Sequence, residues 1–367
     1  MALAAVVLAL ALALAFWNGA NDNGKGVASL LAYGAATPRR ALAWAAATTA
    51  LGSALSAVWG RELLGAFRAG FIDGGDGLSP AFFAAVLAAA GGWILIATRL
   101  GMPVSTTHTI IGSLVGAGLG AVGAGRIEWA VLARGFVLPL ALGPLAALAV
   151  VGLAAPPIRR LSRRAEARCA CVLERPAIAG PGDGAAAAAA VSPIVEVGTV
   201  EACGKRAPLL VVEGTRVLDG VHWTTAGLVG FARGFNDAPK IAALALVAFP
   251  AGSQVPLAVG LVTVAMAAGG LLAGRRVLAT LGERVTRLPL GESLTASAAS
   301  SLLVGLASFR GLPLSTTHVT TGAIVGAGMA CDHRGVRWRV VRDIVLAWLV
   351  TLPAAALLAA GIHVLLG

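Results

Sequence analysis

Two near-copies of one phrase lie 210 residues apart, Gly101-Met-Pro-Val-Ser-Thr-Thr-His108 and Gly311-Leu-Pro-Leu-Ser-Thr-Thr-His318. From each Gly-x-Pro onward, 11 of 19 positions are identical. A second pair, Gly19-Ala-Asn21-Asp22-Asn-Gly-Lys25 and Gly234-Phe-Asn236-Asp237-Ala-Pro-Lys240, is spaced by 215. Two unrelated polar phrases that recur in one order at nearly one separation imply a tandem duplication. Whatever the first half builds, the second half builds again.

Charge says what the unit is made for. Of 367 residues, 58% are hydrophobic and 12% charged, and the mean hydropathy is +0.86. That is too little charge to cover a water-soluble surface. Apolar stretches long enough to cross ~30 Å of hydrocarbon recur along nearly the whole chain. The expected fold is an all-α integral membrane protein with two inverted-topology repeats of about five crossings each. Residues 1–155 form repeat 1, 156–216 a cytoplasmic hydrophilic linker, and 217–367 the inverted repeat 2. Spans are expected at 2–36, 41–59, 80–98, 101–124 and 129–154, then 221–249, 254–274, 290–308, 311–330 and 343–366. Broken helices or re-entrant hairpins are expected at the midplane, with the first span interrupted over 18–26. Met1 to Trp17 is apolar like a signal peptide, but it has no basic n-region and runs straight into the polar motif.

The chain carries 28 Lys and Arg against 17 Asp and Glu. These cations sit mainly in short loops, so they report topology rather than nucleic-acid binding. With the N-terminus outside, 20 fall on the cytoplasmic side, 5 outside and 3 within spans. An odd number of crossings per unit then inverts the second unit. The Ala-, Gly- and Arg-rich composition points to a GC-rich bacterial genome, and the address is the inner (plasma) membrane. The linker reads as flexible, with a six-alanine run at 185–190 and one short strand near 209–212. Cys169, Cys171 and Cys203 lie in it, and Cys331 follows the second repeat. Cys169 and Cys171 with no His nearby have poor metal spacing, so reduced cytoplasmic thiols are expected.

Asp22 and Asp237 are the sharpest chemical signals, because a carboxylate inside a membrane span is a functional candidate by default. Lys25 or Lys240 could simply neutralise them, yet the same Asn-Asp-x-x-Lys occurs in both halves. Asn21, Asp22, Asn236 and Asp237 offer hard oxygen ligands suited to Na⁺, with H⁺ on a carboxylate as the other choice. Gly19, Gly24 and Pro239 would let the helix break there. Ser105, Thr106 and Thr107, like Ser315, Thr316 and Thr317, offer three hydroxyls directly after Gly-x-Pro. Such residues cap a helix whose free N–H groups and positive dipole end face the break, and two such starts would make an anion site. The alternative is that the hydroxyls bond back to carbonyls one turn earlier. His108 and His318 are candidates for gating, proton transfer or packing. The Gly112/Gly116/Gly118 and Gly322/Gly326/Gly328 sets read as close helix packing.

The paired Gly-x-Asn-Asp and Gly-x-Pro-x-Ser-Thr-Thr-His motifs resemble the inorganic phosphate transporter (PiT) family of phosphate permeases. The resemblance implies a cation-coupled permease, driven by Na⁺ or H⁺, with an inverted-repeat fold and a midplane phosphate site. It implies that the Ser-Thr-Thr hydroxyls hold phosphate and that the Asn-Asp pairs handle the coupling cation or contact the anion. Lys25, Lys240 and Arg233 are further candidate phosphate contacts, and Asn18 aligns with Arg233 across the repeat. The family includes sulfate permeases, so another tetrahedral oxyanion is the first alternative. No cofactor is expected beyond the coupling ion, and the partners are phosphate, Na⁺ or H⁺ and the bilayer, with a homodimer as candidate assembly. A membrane enzyme on phosphorylated lipids would want clustered carboxylates for metal ions. A passive anion channel would need no carboxylates at all.

Overall fold

The computed structural model describes residues 2–68, 70–175, 192–206, 208–249, 254–332 and 335–366. The first half contains α1 (Ala2–Tyr33), α2 (Pro38–Trp59), α3 (Arg61–Phe67), α4 (Pro80–Arg99), α5 (Thr106–Ala121), the single turn α6 (Trp129–Leu132) and α7 (Leu138–Glu166). Between the halves lie β1 (Arg168–Arg175), β2 (Ser192–Thr199), α8 (Val200–Gly204) and β3 (Leu210–Glu213). The second half contains α9 (Gly214–Ala245), α10 (Val255–Ala273), α11 (Arg275–Glu283), α12 (Leu290–Phe309), α13 (Thr316–Asp332) and α14 (Trp338–Leu366).

The duplication is visible in element order and length. A 32-residue helix opens each half, a 20-residue helix precedes each Ser-Thr-Thr motif, and a 29-residue helix closes each half. The packing is exchanged between halves as well. α1 packs on α10 as α9 packs on α2, and α5 packs on α14 as α13 packs on α7. Glycines permit these approaches. A Cβ on Gly116 would lie 1.9 Å from the carbonyl oxygen of Ala356, and one on Gly326 would lie 2.7 Å from that of Leu148. The repeated glycines are therefore contact points between helices, as expected.

Among the described residues, seven helices are long and apolar enough to cross a bilayer: α1, α2, α4, α10, α12, α14 and the continuous run 129–166. The protein is a multi-pass membrane protein, but ten full crossings were expected. α5 and α13 have 16 and 17 residues, which at 1.5 Å per residue gives only about 25 Å of helix. α9 is long enough, but it carries Arg233, Asp237 and Lys240 in its middle. Apolar side chains face outward, with Leu153 and Leu272 each about four-fifths exposed, while Asp22 and Lys25 of α1 and Arg233, Asp237 and Lys240 of α9 are buried. That is the arrangement a lipid-immersed protein requires.

Two expectations about the backbone are corrected. α1 is unbroken through 18–26, and α9 runs through Pro239 without ending. Gly19 and Gly24 serve close packing rather than breakage: a Cβ on Gly19 would lie 1.9 Å from the carbonyl oxygen of Met266. The breaks fall at the two Gly-x-Pro phrases, ahead of α5 and α13, where the hydroxyls were expected to cap. There Gly101 and Gly311 take positive φ values of 71° and 69°, and Pro103 and Pro313 follow two residues later. A left-handed glycine followed by proline stops α4 and α12 and frees the backbone up to the next cap.

The linker is also more ordered than expected. β1 pairs antiparallel with both neighbours in the order β2-β1-β3, with Arg168 opposite Thr199 and Cys169 opposite Glu213. The chain is therefore not purely α-helical. The 185–190 alanine run lies outside the described residues. Cys169 and Cys203 form a disulfide, against the expectation of reduced thiols, and Cys171 and Cys331 are free. β1 and α8 turn Cys169, Cys171 and Cys203 into one small apolar core. The three sulfurs lie within 4.8 Å of one another, a convergence that spacing along the chain does not show.

Candidate functional site

The polar stretches of α1 and α9 meet the starts of α5 and α13 in the centre of the molecule. Asn18, Asn21, Asp22, Asn23 and Lys25 are all buried on α1, as are Arg233, Asn236, Asp237 and Lys240 on α9. None of these side chains is more than 2% exposed. The site is thus closed to both surfaces in this conformation. A polar interior of this kind survives only if its groups are paired.

Ser105 caps α5, its hydroxyl accepting from the His108 N–H at 3.2 Å, and Ser315 accepts from the His318 N–H at 3.3 Å. Thr106, Thr107, Thr316 and Thr317 follow, buried in the first turns of the two helices. The loops ahead of the caps are held by the asparagines. Asn21 donates to Thr98 and to the Met102 carbonyl, each at 3.0 Å, and accepts from the Val104 N–H at 3.2 Å. Asn236 donates to the Leu314 carbonyl and accepts from the Ser308 hydroxyl, both at 3.0 Å. Both asparagines thereby latch the end of the preceding helix to the loop before the cap.

The lysines reach across. Lys25 donates to the Asp22 carboxylate, to the Val104 carbonyl at 2.7 Å, and to the Thr317 hydroxyl of the other half. Lys240 donates to Thr107 at 2.7 Å and to the Leu314 carbonyl at 3.3 Å, with the Asp237 carboxylate 3.6 Å away. The two environments have the same composition, because Val104 and Leu314, like Thr107 and Thr317, are repeat mates.

Between them lies an asymmetric centre. Asn18 donates to Thr106 at 2.8 Å, to Asp237 at 3.3 Å and to Asp22 at 3.4 Å. Thr106 in turn donates to Asp22 at 3.3 Å. Arg233, the repeat mate of Asn18, is the largest fully buried side chain among the described residues. It donates to Asn18 at 2.5 Å, to Asn23, and to Thr49 at 3.3 Å, and it lies 3.5 Å from Asp237. Three cations against two carboxylates leave a formal charge of +1.

His108 and His318 stand beside this centre. Their ring centroids are 4.5 Å apart, edge to face, and the His318 ring also lies 3.8 Å from that of Trp348, tilted by 58°. The pair borders a cavity of about 430 Å³ lined by apolar groups such as Leu140, Pro144 and Leu349. A larger cleft of about 640 Å³ opens beside Thr98 and Gly101 and is ringed by Arg99, Arg275, Arg276 and Arg284. Arg99 in this lining is one residue from Thr98, which accepts from Asn21.

The structure brings every sequence-derived candidate into this region, although Asn21 and Asn236 serve the loops. It adds Asn18, Asn23 and Thr49 as the holders of Arg233. It also adds a hydroxyl row, Ser29, Ser297 and Ser300, which lines a narrow crevice next to Lys25. The spacing of Ser293, Ser297 and Ser300 on one face of α12 was the signal available for that row.

Comparison with known proteins gives a consistent picture. A family model described as the phosphate transporter family matches residues 18–359. A probable low-affinity inorganic phosphate transporter of Mycobacterium bovis is 31% identical over 366 residues, covering 97% of this chain and 75% of its own. A protein of the same description from Rhizobium meliloti is 30% identical over 361 residues, covering 96% of this chain and 93% of its own. Among solved structures, the sodium-dependent phosphate transporter matches with a TM-score of 0.75 at 23% identity, covering 100% of this chain and 99% of that one. At that identity the likeness speaks for the fold.

Proposed function

Since the chain belongs to the phosphate transporter family, we propose that it is a secondary active transporter importing inorganic phosphate together with a cation, Na⁺ or H⁺. The observation that carries this reading is the buried centre with a formal charge of +1, bordered by the first-turn threonines of two half-length helices. A monovalent anion would bring that centre to neutrality. The threonine hydroxyls and the helix N-termini supply donors for its oxygens. Thr106, Thr107, Thr316 and Thr317 would hold the anion in place of their present partners, with Lys25, Lys240 and Arg233 providing the charge. Asp22 and Asp237 would keep those cations ordered and set the cation dependence. His108 and His318 would act as a gate beside the centre.

Burial of the whole site supports alternating access, in which the halves rock about a fixed site. The reading includes inverted halves at 1–155 and 217–367, a cytoplasmic 156–216 segment, the inner membrane of a bacterium, and a homodimer as its assembly. Cation entry would offset the work of bringing an anion inside, about 2.3 kcal/mol per charge per 100 mV. The test is ³²P-phosphate uptake into proteoliposomes under imposed Na⁺ and pH gradients, with sulfate as competitor. Uptake that exceeds equilibrium and resists excess sulfate supports the reading. Equal displacement by sulfate would make the substrate a broader class of tetrahedral oxyanion.

A further inference from the structure

The two lysines sit where a coupling metal ion would be expected. Around Lys25 Nζ stand the Asp22 carboxylate, the Val104 carbonyl and the Thr317 hydroxyl. Around Lys240 Nζ stand the Asp237 carboxylate, the Leu314 carbonyl and the Thr107 hydroxyl. Carboxylate, hydroxyl and the carbonyl of unwound backbone at a half-helix are the donors that transporters use to hold Na⁺. Here each set surrounds an ammonium instead. An ammonium has three N–H donors and no acceptor, so the three oxygens around Lys25 satisfy it completely. Neither side chain is more than 2% exposed.

We propose that the ammonium groups of Lys25 and Lys240 are tethered cations that take the places of free Na⁺ ions, so that this chain moves phosphate without Na⁺. The proposal rests on the phosphate reading above and decides between its two cations. The charge tally supports it: three fixed cations and two carboxylates sum to +1, whereas the same site without the lysines would sum to −1 and repel an anion. Two bound Na⁺ would restore +1 in that case. In the native chain they would raise it to +3 beside nitrogens already filling the same oxygens. Duplication explains why the substitution is symmetric, since one ammonium in one cage would leave the other cage to a metal ion.

The experiment measures ³²P-phosphate uptake by the purified protein in proteoliposomes at equal internal and external pH, with NaCl or choline chloride outside. Initial rates within twofold of each other are expected, and a tenfold or greater fall in choline overturns the proposal. Absence of uptake in every salt would instead remove the phosphate reading. A second measurement, independent of transport, decides the proposal in that event: thermal unfolding in detergent across a titration of NaCl against choline chloride at constant ionic strength. The wild type is expected to show no Na⁺-specific shift. Lys25→Asn, which vacates one cage but keeps its three oxygens, is expected to gain a saturable stabilisation by Na⁺. A saturable Na⁺ shift in the wild type, or none in a folded Lys25→Asn, overturns the proposal.

Discussion

Replacing Arg233 by Met tests whether the buried charge network holds the two halves together. Arg233 Nε lies 3.5 Å from Asp237 Oδ2. At an effective dielectric of about 20, that separation corresponds to an attraction of about 5 kcal/mol. Removing one partner of a buried pair usually destabilises by about 3–5 kcal/mol. Asp237 keeps Lys240 at 3.6 Å, so the lower end, about 3 kcal/mol, is expected from the charge alone. The orphaned oxygens of Asn18 and Asn23 add about 1–3 kcal/mol each if they find no new donor. In detergent, followed by tryptophan fluorescence, the variant should melt roughly 10 °C below the wild type. Arg233→Met combined with Asp237→Asn should melt higher than the sum of the single losses predicts, because the second change removes the uncompensated charge. Coupling in such contacts is about 0.5–3 kcal/mol. Arg233→Lys separates charge from geometry. It keeps the +1 sum but cannot span Asn18, Asn23, Thr49 and Asp237 at once, so it should retain uptake better than stability. An unshifted melting point for Arg233→Met would refute the network as the link between halves, and strict additivity in the double variant would refute the Arg233–Asp237 pairing within α9.

Thr106→Ala removes the hydroxyl between Asn18 and Asp22, and Thr317→Ala removes one from the Lys25 cage. Each should raise the half-saturation for phosphate by about ten- to a hundredfold, the value of one hydrogen bond to a charged group, and an unchanged half-saturation would return the hydroxyls to a packing role. Gly116→Ala places a methyl 1.9 Å from the Ala356 carbonyl and should destabilise by about 1–3 kcal/mol. Gly92→Ala meets nothing within 4 Å and should be neutral or stabilising by up to about 1 kcal/mol. Similar melting points for these two variants would contradict the α5–α14 contact. Asp22→Asn leaves Lys25 without its carboxylate and raises the site to +2. Counterflow of phosphate should persist while accumulation stops, which paired counterflow and net-uptake assays in one vesicle preparation would detect. For sidedness, Cys169, Cys171 and Cys203 are buried and cannot report. A cysteine placed at exposed Arg206 should stay unlabelled by an impermeant reagent in intact cells.

Hydropathy, duplication and the polar residues that meet in the buried centre were legible in the chain, because each is a local property. A buried Asp in an apolar run, or two identical phrases 210 residues apart, declares itself without any knowledge of neighbours. Gly101 and Gly311 likewise marked where the backbone must turn. What tertiary structure decided was which copy each residue serves. Thr107 and Thr317 sit in identical phrases, so nothing local tells Lys25 to bond Thr317 while Lys240 bonds Thr107. That choice depends on how α1 and α9 cross α13 and α5. The continuity of α1 was decided in the same way: Gly19 and Gly24 could break a helix or admit a neighbour, and the close approach of α10 and α11 made them contact points. Cys203 joins Cys169 and Cys171 only because β1 and α8 fold onto one another. Local chemistry selects the residues, and long-range packing assigns their partners.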